Sequence, residues 1–244
     1  GYAFVEVRPR VKRNRKRKLI DLNLQISEGP RVFVERINIA GNVRTTDKVI
    51  RREFQIIEGD AFNAAKLRRS KQRIRDLNFF DKVTIQRLQG SQPDKAIINV
   101  EVEEKSTGSL SFGVGYSTDH GPLFDVGVKE RNLLGKGQRL SFNGTLAAEK
   151  STASLSFTEP YFLDKDISAG VDLFNSERDN TDESSFTSKR LGLGLRLGYE
   201  INEQWSQTLR YLIRQDEITE VSSDGSVFIR QQDGDTVTSL IGQD

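Results

Sequence analysis

From Ser109 to Ile213, apolar and polar residues alternate at every second position in one segment after another. One side of the alternation carries leucine, valine, isoleucine or aromatic residues, and the other carries serine, threonine, glycine, asparagine or charged residues. A period of two is typical of β-strands with one apolar face. At the strand lengths usual for membrane barrels, the region from Ser109 to Asp244 holds about eight such strands.

Residues 31–105 predict a different, mixed unit. "VFVERINI" reads as a strand that ends at a Gly41-Asn42 turn. A short helix, "TTDKVIRREF", follows with Thr45 or Thr46 as its N-cap. After the break at "EGD", Asn63 caps a longer helix whose apolar residues fall near one face; they are Leu67, Ile74 and Leu77. "VTIQRL" and "AIINVEV" then read as two strands, which gives the order β-α-α-β-β.

The first 29 residues resemble the end of a preceding copy of this unit. "YAFVEV" and "LIDLNLQI" read as strands, and the basic run "RPRVKRNRKRK" between them is predicted to be a turn. The predicted division is therefore residues 1–29, 30–105 and 106–244. For the basic run we favour a solvated hairpin tip, with contact to anionic lipid headgroups as the alternative.

The alternation after Ser109 leaves two fold classes open. A soluble β-sandwich and an outer-membrane barrel both alternate. The barrel is favoured because small and charged residues alternate with leucine and aromatic residues along each strand, and polar loops separate the strands. No apolar run reaches the ~18 residues of a transmembrane helix. We expect Tyr116, Tyr161, Phe162, Tyr199, Trp205 and Tyr211 to lie near strand ends, as interfacial aromatic residues do.

The amino-acid composition excludes several kinds of partner and catalytic site. The 37 basic and 35 acidic residues nearly cancel, so net charge indicates no nucleic-acid partner. Cysteine is absent, which excludes disulfides, thiolate nucleophiles and Cys-ligated zinc. Methionine is also absent, so we expect an internal piece of a longer protein without a signal peptide. His120 is the single histidine and has neither catalytic nor metal-binding partners in the sequence. We therefore expect no catalytic residue, metal or cofactor.

Several stretches, taken in order, resemble the BamA family, the outer-membrane protein insertases of Gram-negative bacteria. They are "VFVERINIAGNVRTTDKVIRREF", "EGDAFNAAKLRRSKQRIRDLNFFDKV", "INVEVEEKSTGSLSFGVGYSTDHG", "VKERNLLGKGQRLSFNGT" and "SFTEPYF". The resemblance implies an α+β POTRA unit in the periplasm, followed by the N-terminal strands of an antiparallel transmembrane β-barrel in the outer membrane. The family's barrel is larger than this region, and its Arg-Gly-aromatic loop motif is missing here.

The resemblance also implies a function and partners. The function would be assembly and insertion of β-barrel proteins, without covalent chemistry. The partners would be unfolded outer-membrane proteins, accessory outer-membrane lipoproteins and the lipid bilayer. The backbone of the first barrel strand would pair with client strands at a lateral seam, through Leu110, Ser111, Phe112, Gly113, Val114, Gly115 and Tyr116. Alternatives are a POTRA-barrel transporter that exports a polypeptide, an outer-membrane barrel hydrolase and a soluble adhesin.

Overall fold

The computed structural model describes residues 5–14, 19–28, 31–118, 121–180, 186–202, 205–219 and 234–243. The chain divides into two compact units, Gly1–Lys105 and Ser106–Asp244. None of the helices in the described ranges is both long enough and apolar enough to cross a membrane.

The first unit begins with an antiparallel hairpin of β1 (Val5–Asn14) and β2 (Leu19–Glu28). The prediction of a turn for the whole basic run is wrong, because Arg8 to Arg13 lie inside β1. Val7 and Val11 stand opposite Ile26 and Leu22, so the apolar alternation continues through the basic residues. The rest of the run, residues 15–18, lies outside the described residues.

The remainder of this unit has the predicted β-α-α-β-β order. Its elements are β3 (Phe33–Ala40), α1 (Asp47–Arg51), α2 (Ala64–Asp76), β4 (Phe80–Gln89) and β5 (Lys95–Glu104). The sheet order is β3-β5-β4. The last strand, β5, is therefore central, parallel to β3 and antiparallel to β4.

A side-chain cap marks the start of α2, whereas α1 begins without a side-chain capping hydrogen bond. Asn63 Oδ1 accepts hydrogen bonds from the backbone N–H groups of Ala65 (2.9 Å) and Lys66 (3.1 Å), which caps α2 as predicted. Thr46 is the N-cap residue of α1. That helix ends at Arg51, earlier than the sequence predicts. The chain leaves it to cross α2, where Gln55 N donates to Ser70 Oγ at 2.8 Å.

One apolar core lies between these helices and the sheet. Ile50, Ile74 and Ile98 are fully buried. The Phe79 and Phe80 rings are also buried and meet edge to face at 6.2 Å between centroids. The turn after β3 needs glycine, because Gly41 has a φ of +89° and a Cβ there would overlap the carbonyl oxygen of Val102.

Within its described residues, the second unit forms one antiparallel sheet of eight strands. The strands are β6 (Gly108–Ser117), β7 (Gly121–Leu133), β8 (Gln138–Ala147), β9 (Lys150–Glu159), β10 (Ile167–Asp179), β11 (Thr187–Asn202), β12 (Trp205–Thr219) and β13 (Gly234–Gln243). A 3₁₀ turn at Phe162–Asp164 joins β9 to β10. Each strand pairs with its neighbours in sequence, so β6 and β13 are the outer strands of this open sheet. The predicted strand number and fold class are confirmed.

Candidate functional site

The apolar face of the eight-stranded sheet forms one continuous surface, here called the apolar belt. A single row of cross-strand partners runs through seven strands: Leu110, Val128, Phe142, Leu155, Leu173, Leu193 and Ile213. All seven side chains are between 36% and 61% exposed. A soluble sandwich would cover such a row with a second sheet. An exposed apolar surface of this extent marks a membrane or protein interface.

The opposite face carries paired charges, in contrast with the belt. The Arg196 guanidinium donates to Ser156 Oγ (3.0 Å) and Thr158 Oγ1 (3.1 Å), and its Nε lies 2.6 Å from Asp172 Oδ2. Gly170 stands opposite Arg196, and a Cβ at that position would lie 2.9 Å from Arg196 Nη2. The small residue therefore makes room for the guanidinium. The polar side chains of this face suit contact with water, whereas the apolar side chains of the belt suit an apolar medium.

β6 contains all seven residues predicted to pair with client strands. It pairs with β7 over ten residues, from Gly108 opposite Glu130 to Ser117 opposite Gly121. Within the described part of the chain, no strand lies on its other side. Leu110, Phe112, Val114 and Tyr116 point to the apolar belt, and three of them are more than three-quarters exposed. Ser111, Gly113 and Gly115 point to the polar face, so β6 offers one open backbone edge.

The two glycines differ in their surroundings. A Cβ at Gly113 would lie 3.3 Å from Asp125 Cβ, whereas the nearest atom at Gly115 would be Leu123 Cβ at 4.0 Å. Asp125 in turn accepts a hydrogen bond of 2.6 Å from Thr145 on β8. On the polar face of β6, Ser111 Oγ makes a long contact of 3.4 Å to Gly127 O. On this face, the pairing of β6 with β7 therefore relies mainly on the backbone.

The residue before β6 makes further contacts with β7. Arg131 on β7 donates to the carbonyl oxygen of Thr107 through its backbone N–H (3.3 Å) and its Nε (3.4 Å). Arg131 is followed by a turn in which Asn132 Oδ1 accepts from Gly137 N at 2.8 Å. These contacts add to the ladder between β6 and β7 at the start of the strand.

The three-stranded sheet of the first unit also has two outer strands, and one of them is already covered. Segment 59–62 hydrogen-bonds to the outer edge of β3 and the residue before it, through Val32 and Val34. Further along, Ile37 N donates to Glu58 Oε1 (3.0 Å), and Ile37 O accepts from Arg51 Nη2 (2.9 Å). The sequence predicted open edges in general. The structure leaves β4 as the open edge among the described strands of this sheet.

Two carboxylates in this unit fasten loops to strands. The hydrogen bond from Ile37 N lowers the pKa of Glu58 below its ordinary value, assisted by Arg51. Burial acts to raise the pKa of Glu104. The hydrogen bonds that this carboxylate accepts from Thr45 and Arg44 outweigh burial and leave its pKa lowered. Both groups are structural, since they hold the turns that flank α1.

The remaining candidates from the sequence are the single histidine and six aromatic residues. His120 lies outside the described residues. Within the described ranges, no group of three or more histidine, cysteine or acidic side chains could hold a metal ion. Tyr116, Tyr199 and Trp205 lie at or near strand ends, as expected. Tyr211 is an exception, because it stands in the middle of β12 within the apolar belt.

Two family models match the chain. One, described as the Omp85 superfamily domain, matches residues 132–243. The other, the POTRA model described as a surface antigen variable number repeat, matches residues 32–105. Residues 132–243 therefore resemble the Omp85 superfamily domain, and residues 32–105 resemble the POTRA domain. The seven predicted pairing residues of β6 fall between the two matched segments.

Curated relatives cover that gap. The outer membrane protein assembly factor BamA of Nitratidesulfovibrio vulgaris is 31% identical over 240 residues, or 98% of this chain. BamA of Neisseria meningitidis serogroup B is 33% identical over 208 residues, or 83% of this chain. The chain spans only 30% and 26% of the length of these two relatives.

Solved structures agree with these matches. The crystal structure of BamA from Haemophilus ducreyi lacking POTRA domains 1–3 has a TM-score of 0.75 at 26% identity. The match covers all of this chain and 48% of that one. CdiB from Acinetobacter baumannii has a TM-score of 0.54 at 12% identity over all of this chain and 47% of its own length, which shows a shared fold alone. The eight-stranded sheet thus belongs to the outer membrane and the POTRA domain to the periplasm.

Sequence reasoning missed the polar network around Arg196 and the covered edge of β3. Both depend on residues far apart in the chain, such as Asp172 and Arg196 or Ile37 and Glu58. The alternation around Arg196 placed its side chain on the polar face. No local signal in the sequence showed which carboxylate on that face would pair with it.

Proposed function

We propose that this chain is part of a factor that folds and inserts β-barrel proteins into the outer membrane, with β6 as the template for client strands. Two relatives that it matches over most of its length are named outer membrane protein assembly factors. The observation that carries the proposal is the open edge of β6 beside the apolar belt.

The physical basis is the cost of unpaired backbone groups in lipid. An N–H or C=O group without a partner in the hydrocarbon layer costs several kcal/mol. A client strand that pairs with the open edge of β6 removes this cost. Because main-chain groups supply the attraction, the edge accepts clients of many sequences. Gly113 and Gly115 weaken β6 as a strand, which favours a seam that opens there.

The POTRA domain supplies a second pairing surface in this proposal. Its β4 edge is available to an extended chain, whereas β3 is occupied by segment 59–62. Unfolded outer-membrane proteins would meet this domain first, and accessory lipoproteins would dock on it. The reaction uses no covalent catalysis in this proposal, since pairing and burial supply the driving force.

Two neighbouring proline variants test the role of β6. In an antiparallel pair, successive residues alternate between those bonded to the partner strand and those whose N–H and C=O point away from it. Of Gly113 and Val114, one therefore bonds to β7 and the other faces the open edge. Proline removes the N–H in either case. We expect Gly113→Pro and Val114→Pro each to abolish client assembly in the full-length protein.

The two variants should differ in a second measurement. The variant whose N–H faces the open edge should reach the membrane and keep the heat-modifiable gel mobility of a folded barrel. Its neighbour should lose part of this folded fraction, because it breaks the ladder to β7. Val114→Ala and Gly115→Ala serve as matched controls and should assemble clients normally. If both proline variants assemble clients normally at normal membrane levels, β6 is not the template.

That outcome would move the function to the polar face of the sheet or to the POTRA domain. Export of a polypeptide through the barrel would then be the leading alternative. A transport assay on the same proline variants distinguishes the two, because a transporter uses its lumen rather than the edge of its first strand.

A further inference from the structure

A groove of about 630 Å³ lies on the apolar side of β9 to β13. Its volume falls within the range of roughly 300–1,000 Å³ that is usual for small-ligand sites. The residues that shape it include Phe157, Phe162, Ala169, Leu197, Leu209 and Tyr211. The cross-strand row Ala169, Leu197 and Leu209 contributes to its lining. The small Ala169 side chain leaves space there that larger residues fill elsewhere in the belt.

Strand order fixes the depth of this groove in the membrane. β6 begins at the end of the sheet that the periplasmic POTRA domain precedes in the chain. Because successive strands alternate in direction, the turn between β9 and β10 lies at that same end. Phe162 belongs to this turn and lines the groove. The groove therefore opens toward the periplasmic half of the bilayer, where it continues the apolar belt.

The turn that carries Phe162 is fixed in an unusual conformation. Leu163 and Asp164 have φ values of 56° and 62°, a left-handed region that costs free energy for residues other than glycine. Glu159 holds the start of the turn, because its Oε1 accepts from Tyr161 N (3.0 Å) and its Oε2 accepts from Gln138 Nε2 (2.8 Å). Backbone strain that is retained in a fixed turn often accompanies a functional role of the side chains on that turn. Here it presents the Phe162 ring at the groove.

We infer that this groove binds an acyl chain of a phospholipid from the periplasmic leaflet. The lining residues are apolar apart from Arg196, Arg210 and Glu159, and both oxygens of Glu159 are already hydrogen-bonded. The Arg196 guanidinium is turned to the opposite face of the sheet, where it contacts Asp172. Arg210 stands opposite Arg196 and alternates with Leu209 and Tyr211 of the apolar belt, so its side chain lies on that same opposite face. Recognition therefore acts through the acyl chain. The inference rests on the outer-membrane location and is independent of client pairing at β6.

Filling the groove tests the inference. Ala169→Phe places a ring among its lining residues, and Val128→Phe adds the same ring to the apolar belt on β7, away from the groove. The full-length protein is stripped of lipid in detergent and incubated with palmitoyl-oleoyl phosphatidylethanolamine. Native mass spectrometry then counts the retained phospholipids. We expect the wild type and Val128→Phe to retain one molecule that Ala169→Phe binds about tenfold more weakly, the change expected for loss of a small apolar contact area.

A second variant guards against misfolding of the first. Phe162→Ala removes one wall without overpacking, and it should also lower retention while the barrel keeps its heat-modifiable mobility. Phosphatidylglycerol with the same chains should bind as well as phosphatidylethanolamine. Equal retention by wild type, Ala169→Phe and Phe162→Ala would overturn the inference. A strong headgroup preference would also overturn it, because recognition would then act through polar groups.

Client assembly, measured on the same samples, separates this inference from the proposed function. If Ala169→Phe loses lipid but assembles clients normally, the proposed role of β6 still stands. If the proline variants of β6 retain lipid but fail to assemble clients, the inference about the groove still stands.

Discussion

Replacing Gly41 by alanine tests whether the turn after β3 is set by close approach to β5. Gly41 has a φ of +89°, and an added Cβ would overlap the backbone carbonyl oxygen of Val102. Gly59 provides a matched control, because its φ is +93° and a Cβ there would meet nothing within 4 Å. Both substitutions place alanine in the left-handed region, but only Gly41→Ala also creates an overlap.

The expected magnitudes follow from these two contacts. Left-handed backbone at alanine costs about 1–2 kcal/mol in either variant. The overlap at Gly41 adds about 1–3 kcal/mol, since a backbone atom in a central strand cannot rotate away. The loss of unfolded-state entropy on replacing glycine favours both variants by a similar amount, about 0.4–1 kcal/mol, and cancels in their difference. A domain of this size has a stability of about 4–11 kcal/mol.

Urea unfolding of the POTRA domain, residues 31–105, measures the difference by circular dichroism. For a domain of this size the slope is about 1 kcal/mol per molar urea. The midpoint of Gly41→Ala should therefore lie about 1–3 M below that of Gly59→Ala. Equal midpoints for the two variants would show that Val102 does not constrain the turn, and the account of Gly41 would be wrong.

Two further predictions concern the same domain. Phe79→Ala and Phe80→Ala each remove a buried ring, so each should cost about 3–5 kcal/mol and lower the Tm by more than about 10 °C. A shift of a degree or two in both would contradict the packing between α2 and the sheet. Glu104 has a folded-state pKa below the ordinary 4.5, so its stabilisation is present above that pH and is lost as the pH falls through the folded pKa. Glu104→Gln should therefore be less stable than wild type at pH 7, and the gap measured by urea unfolding should close at low pH; a gap that stays constant would refute this role.

Elements with strong local signals could be predicted from the sequence. Asn63 predicts the start of α2, because asparagine is strongly preferred as the N-cap residue before an amphipathic helix. The alternation after Ser109 predicted the strands, since one apolar face must be repeated at every second residue. The seven candidate residues from Leu110 to Tyr116 do form one outer strand. Their pairing with clients stays a prediction.

Features that depend on distant partners could not be predicted. The dense charge of the basic run predicts a turn, whereas the register with β2 shows that Val7 and Val11 continue a strand alternation. The covered edge of β3 depends on a loop more than twenty residues further along the chain. The left-handed Leu163 was equally hidden, because leucine has no local preference for that conformation.

The pairing of every strand from β6 to β13 with its neighbours in sequence has a consequence for how the sheet itself forms. Such a meander has low contact order, because each new hairpin closes only a short loop on the strand before it. The entropic cost of loop closure rises with the length of chain enclosed. Joining β6 to a strand far along the chain is therefore the slow and costly step in closing a cylinder from this sheet. The edge of β6 forms early and is closed late, so it stays accessible to another strand for the longest time.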